Sequence, residues 1–252
     1  MSAAEWFHCH KPRPNARLRL YCFHHAGGGG ATFFTWPDAL PDWVEVHALR
    51  LPGRESRTSE AFCLDFGQMV AELLAAVDLS SKRFGFYGHS LGAAMAYGLA
   101  RELRHRGAPM PSHFIVAARR APHLPRRWAS FHALPKSAFL ARLQQVYGRL
   151  PDWLHSSPEL VEHFLPVIRA DLTLLETLEE QHQEPVLDCP ILILGGKGDA
   201  SVTLEELRAW CQHTTSGSVT VRAMEGDHLF PVNHRPALLR ELNAFLAAAS
   251  AT

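Results

Sequence analysis

The sequence predicts an α/β fold, a mostly parallel sheet with helices on both faces, and three observations lead there. Short apolar runs alternate with longer stretches whose apolar residues recur at helical spacing, the rhythm of strand–helix–strand units. The chain has 252 residues, 47% hydrophobic and 20% charged, which suits one large domain with a substantial core. The rhythm breaks once, over roughly 70 residues, where a crossover between parallel strands needs only about a dozen.

Leu18 to Phe23 reads as the first strand and runs straight into the glycines Gly27 to Gly30. Val44 to Leu49 is the second, stopped by Pro52-Gly53. Phe66, Met69, Val70, Leu73, Leu74 and Val77 then recur at helical spacing. Phe84 to Tyr87 is a short strand, followed by a helix from Leu91 to Leu103 that ends near Gly107. His113 to Ala118, Ile191 to Leu194 and Val219 to Ala223 complete the strands. A final helix begins at Pro236, since proline suits a first helical turn, and runs to Ala249.

The long interval lies between Ala118 and Ile191. Phe139, Leu140, Leu143, Val146 and Leu150 share one helical face there, as do Val161, Phe164 and Ile168, with Leu172, Leu175 and Leu178 continuing the pattern. It reads as a helical lid over about 119–186, placed at the carboxyl edge of the sheet within a single domain spanning 1–252.

Composition narrows the function classes. Lys and Arg number 25 and Asp and Glu 25, so no net field draws nucleic acid or an anionic membrane. The five cysteines (Cys9, Cys22, Cys63, Cys189, Cys211) form no CxxC pair, which suits a reducing compartment. The N-terminal stretch has no apolar core of a secretory signal and no run is long enough for a membrane helix, so a cytoplasmic protein is expected.

Gly88-His89-Ser90-Leu91-Gly92 matches G-x-S-x-G, the nucleophile elbow of the α/β-hydrolase fold. Such an elbow needs a serine on a sharp strand-to-helix turn, and a strand precedes this one while a helix follows. A serine hydroxyl is a poor nucleophile until a base takes its proton. In this fold the chain order is Ser, acid, His, which selects His228 after the last strand and Asp199 after the strand before it. Asp199 would accept the Nδ1–H of His228 and stabilise the imidazolium. His234 lies too close to the last helix, Asp227 is adjacent to the histidine, and Asp188 precedes its strand. For the oxyanion, the expected backbone donors are the N–H of Leu91 and that of Ala26 in the glycine-rich loop. No G-K-[ST] follows those glycines and no G-x-G-x-x-G is present, which disfavours a phosphate cradle or dinucleotide site. The His8-Cys9-His10 and His24-His25 groups lack the partner sets of a metal site, so no metal is expected. Arg119, Arg120, Arg126 and Arg127 are either a solvated hinge of the lid or a basic rim for an acidic protein partner. These residues point to hydrolysis of an ester, thioester or amide.

Cys22-Phe23-His24-His25-Ala26-Gly27-Gly28, Leu51-Pro52-Gly53-Arg54, the Ser90 elbow and Gly226-Asp227-His228-Leu229-Phe230 together resemble the type II (editing) thioesterases of nonribosomal peptide and polyketide assembly lines. The resemblance spans nearly the whole chain; His24 departs from it, standing where the family usually has proline. It implies removal of stalled or wrong acyl groups from the phosphopantetheine thiol of acyl- or peptidyl-carrier proteins. No cofactor is then expected beyond the substrate's own pantetheine arm. Such carriers are usually acidic, which favours the docking role for the four arginines, and a monomer is expected. More loosely, the N-terminal stretch is similar to thioesterases of siderophore pathways such as that of pyochelin. The alternative is a generic carboxylesterase or lipase on the same fold.

Overall fold

The computed structural model describes residues 6–79, 82–148, 150–151, 153–178 and 184–249. Seven strands form one sheet: β1 (Phe7–His8), β2 (Leu18–Phe23), β3 (Val44–Leu49), β4 (Arg83–His89), β5 (Phe114–Ala117), β6 (Ile191–Gly196) and β7 (Val219–Met224). Their spatial order is β1-β3-β2-β4-β5-β6-β7, and every pairing is parallel except β1 on β3. The longer helices are α1 (Phe66–Ala76), α2 (Leu91–His105), α3 (Lys136–Tyr147), α4 (Pro158–Thr177), the short α5 (Leu204–Arg208) and α6 (Arg235–Ala249). The α/β-hydrolase expectation therefore holds, and the six strands read from sequence all form. The antiparallel edge strand β1 was not read, because two residues are too few to display a period.

The central strands are apolar on both sides, as a parallel sheet covered twice requires. Tyr21, Phe23, Phe86, Phe114 and Ile193 face one layer, with Met95, Leu99 and Leu103 of α2. Leu20, Cys22, Tyr87, Ile115 and Leu194 face the other, with Leu238, Leu242 and Leu246 of α6. Successive strand residues thus supply opposite cores, as the pleat dictates. The carboxyl ends of β2, β4, β5 and β6 finish close together, with Phe23 beside Gly88 and Ala117 beside both His89 and Leu194.

Between β5 and β6 the chain leaves the sheet and builds α3 and α4. These close on a small core of their own, with Phe131, Phe139, Leu143, Val146, Leu165 and Leu172 buried together. The face expected from sequence shifts in two places. Gly148, at φ 77°, ends α3, so Leu150 joins that core from outside the helix. In α4 Val161 is buried as expected, but Leu165 is buried in place of Phe164, which is only half-buried. The downstream boundary expected near 186 follows residues 179–183, which lie outside the described residues. Among the described residues no helix is long and apolar enough to cross a membrane.

Candidate active site

The elbow at Ser90 is built by what cannot fit beside it. Ser90 sits at φ 56° and ψ −112°, between the end of β4 and the first turn of α2. A Cβ at Gly92 would stand 2.1 Å from the Phe23 carbonyl oxygen, and one at Gly88 would stand 2.4 Å from Ala93 Cα. Both positions therefore exclude every other residue, and α2 can leave β4 at a sharp angle. The Ser90 N–H is used by the Ala117 carbonyl at 2.9 Å, which ties the strained residue to β5.

Three loops bring the predicted residues together. Ser90 Oγ donates to Nε2 of His228 at 2.9 Å, and His228 Nδ1–H donates to Asp199 Oδ2 at 2.9 Å. The His228 carbonyl accepts from His89 Nε2 at 2.8 Å, so the elbow also holds the backbone of the histidine loop. The rejected alternatives are occupied elsewhere. Asp227 caps its own turn by accepting the Leu229 N–H, Asp188 pairs with Arg104, and His234 packs against Gly226.

Ser201 belongs to the same network and was not anticipated. Its N–H and Oγ–H both donate to Asp199 Oδ1, at 2.8 and 2.7 Å, and its Oγ lies 2.9 Å from His228 Nδ1. Burial opposes ionisation of Asp199, but bonds from His228 and Ser201 outweigh it and hold the carboxyl below its ordinary value. The acid is thus charged and aimed. The loop is anchored downstream by α5, whose Thr203 and Glu206 form a reciprocal capping box.

Burial drives the pKa of His24 and His89 well below the ordinary value, and lowers that of His25 as well. His24, His25 and His89 therefore stay neutral near pH 7. His24 Nδ1 donates to the His25 carbonyl and His25 Nδ1 to the Ala26 carbonyl, each at 2.8 Å. The loop expected to hold the oxyanion donor is thereby stiffened peptide by peptide.

Two pockets meet at Ser90, His228, Tyr147 and Leu172. One is apolar, walled by Leu143, Leu150, Leu154 and Ile168 of the insertion and floored by Ala26 and Gly27. The other contains all four sequence-flagged arginines, Arg119, Arg120, Arg126 and Arg127, beside Trp128. They are the wall of a pocket that reaches the serine. Glu206 lies 3.4 Å from Arg120 and 3.7 Å from Arg127, and Arg126 donates to the Leu178 carbonyl.

Asp171 was missed by sequence, as was the part that Arg54 of the Leu51-Pro52-Gly53-Arg54 string plays with it. Asp171, 1% exposed on α4, receives both terminal nitrogens of Arg54 at 2.6 and 2.7 Å and the Gly27 N–H at 2.7 Å. The available signal was an acid set within the apolar stripe of Ile168, Leu172 and Leu175. In the N-terminal segment Cys9 lies near Glu45 and His47, not in a His8-Cys9-His10 set. Glu45 there is also approached by Arg19 and Lys82, cations that oppose a metal ion.

A family model described as "Thioesterase domain" matches residues 18–246. Among relatives, LgrE of Brevibacillus parabrevis is 33% identical over 98% of this chain and 94% of its own length. It is named a linear gramicidin dehydrogenase, a reaction for which this chain has no G-x-G-x-x-G fingerprint. Among solved structures, RedJ, a thioesterase from the prodiginine biosynthetic pathway in Streptomyces coelicolor, superimposes with a TM-score of 0.83. It is 34% identical and covers 92% of this chain and 87% of RedJ. YbtT, a type II thioesterase of the yersiniabactin NRPS/PKS pathway, gives 0.79 at 25% identity over 97% and 99% of the two chains.

Proposed function

The chain belongs to the thioesterase family, and from that premise we propose that it is a type II enzyme freeing acyl groups from the phosphopantetheine of carrier proteins in a nonribosomal peptide or polyketide pathway. The observation that carries this reading is the hydrogen-bonded line from Ser90 through His228 to Asp199 at the junction of the two pockets. Residues 1–252 act as one domain, with the insertion as its lid. A siderophore pathway is the narrower setting, supported by the N-terminal resemblance.

In this mechanism Ser90 Oγ attacks the thioester carbonyl while His228 Nε2 takes its proton. Asp199, already charged, stabilises the imidazolium and fixes its orientation. The N–H groups of Leu91 and Ala26 receive the oxyanion, and the tetrahedral adduct collapses to acyl-Ser90 and pantetheine thiol, protonated by His228. Water then gives its proton to the same Nε2, attacks the acyl-serine and releases the acid and free Ser90. The substrate brings its own pantetheine, so the reaction asks for no cofactor.

The two pockets divide the substrate by chemistry. The leucine-lined pocket suits an aliphatic acyl chain, and the arginine wall suits the phosphate of the arm and the acidic carrier behind it. Arg126→Glu with Arg127→Glu is expected to raise KM for a carrier-bound acetyl group about tenfold or more. KM for a small acetyl thioester should stay unchanged. Steady-state kinetics on both substrates is the check, and an equal loss on both would remove the docking role.

A further inference from the structure

The helical insertion does more than roof the pocket: it reaches into the loop that carries Ala26. Ile168 and Asp171 are one turn apart on α4 and so share a face. Gly27 meets both. Its φ of 79° and a would-be Cβ only 2.9 Å from Ile168 Cγ1 leave room for glycine alone, and its N–H ends on Asp171 Oδ2. That carboxylate is held by Arg54, which also donates to the Gly28 carbonyl at 3.0 Å. The Ala26–Gly27 peptide is therefore gripped at both ends, its carbonyl by His25 and its N–H by Asp171. A charged acceptor makes the stronger of such bonds. The preceding peptide, which bears the Ala26 N–H, has its carbonyl fixed by His24 Nδ1 and the Gly28 N–H.

We propose that Arg54 and Asp171 are positioning residues that set the Ala26 oxyanion donor, so that the site is complete only while α4 is seated. This rests on the reading of Ser90 as nucleophile and Ala26 as donor. Neither charged side chain lines the two pockets at Ser90, so both act through the loop. The arrangement gives the lid a direct hold on transition-state stabilisation. Without Asp171 the Gly27 N–H loses its acceptor and the donor beside it loses its frame.

The test is the double variant Arg54→Met/Asp171→Leu, because apolar groups of similar volume commonly replace a buried ion pair without unfolding the protein. With the acetyl thioester of N-acetylcysteamine, kcat should fall about 30- to 100-fold while KM stays within about threefold, at a thermal midpoint near that of the parent. Affinity for a methyl trifluoromethyl ketone, whose serine adduct carries an oxyanion, should fall by the same factor as kcat/KM. A purely structural pair would move the midpoint and leave this proportionality absent. If the double variant does not fold, Asp171→Asn, which keeps the shape, is read by the same kcat and KM split. A kcat within about twofold of the parent in a folded variant, or a loss confined to KM, overturns the proposal. Ser90→Ala is run alongside: retained activity there would instead overturn the nucleophile assignment.

Discussion

Replacing His228 with alanine is expected to lower kcat for thioester hydrolysis by about a millionfold, and Ser90→Ala by about the same factor. The double replacement should cost no more than either alone. The reason lies in the geometry: Ser90 Oγ and His228 Nε2 are 2.9 Å apart and perform one proton transfer between them. Removing either ends that transfer, and the second removal finds nothing left to lose. What remains belongs to the backbone donors and binding, so KM should change little. Rapid-quench or steady-state assays over a wide enzyme range measure this, and additive losses would mean that the two residues act in separate steps.

The second large effect is structural in origin. Gly92→Ala places a methyl group 2.1 Å from the Phe23 carbonyl oxygen and 2.4 Å from its carbon, both backbone atoms of a central strand. No side chain can rotate away, so either α2 or β2 must shift. A cost of about 3 kcal/mol in stability is expected, with loss of activity from whatever folds, since Leu91 and Ser90 move with the helix. Gly92 is not at a positive φ, so the penalty is steric alone. Gly217→Ala is the matched control: nothing lies within 4 Å of its Cβ, and a change below about 0.5 kcal/mol is expected. Denaturant melts of the two variants give the comparison. Equal stability of both would show that the elbow is looser than its contacts imply.

What was legible in the sequence follows from how local each cause is. The elbow was legible because the clash partners of Gly88 lie within the five residues that follow it. Asp199 and His228 were found by chain order, a property of strand sequence that survives without coordinates. Ser201 was not, since a serine two residues past an acid looks like any turn residue until His228 arrives from across the sheet. Asp171 and Arg54 are 117 positions apart. Their pairing depends on where α4 lands, which its own apolar period does not encode. The four arginines were noticed as a cluster, yet only the return of the chain past Leu172 and Leu175 folds them around a pocket leading to Ser90. The strand β1 was invisible for a different reason: its partner, β3, is what makes so short a segment extended.

The insertion contributes to every part of the site. It supplies the apolar wall, places the Tyr147 ring 4.8 Å from that of His228, and sends Asp171 into the Gly27 loop. On the proposed reading, acyl selection and transition-state stabilisation both depend on α3 and α4, and variation in these helices should alter both.

The most direct test of the central claim presents the protein with an acetylated phosphopantetheinyl carrier protein and, in parallel, with p-nitrophenyl acetate, for the parent and for Ser90→Ala. Fast deacylation of the carrier that disappears in Ser90→Ala, with the ester a poor substrate, is the predicted result. Turnover of the ester alone, with the carrier left acetylated, would contradict the carrier-directed role and leave an esterase on the same fold.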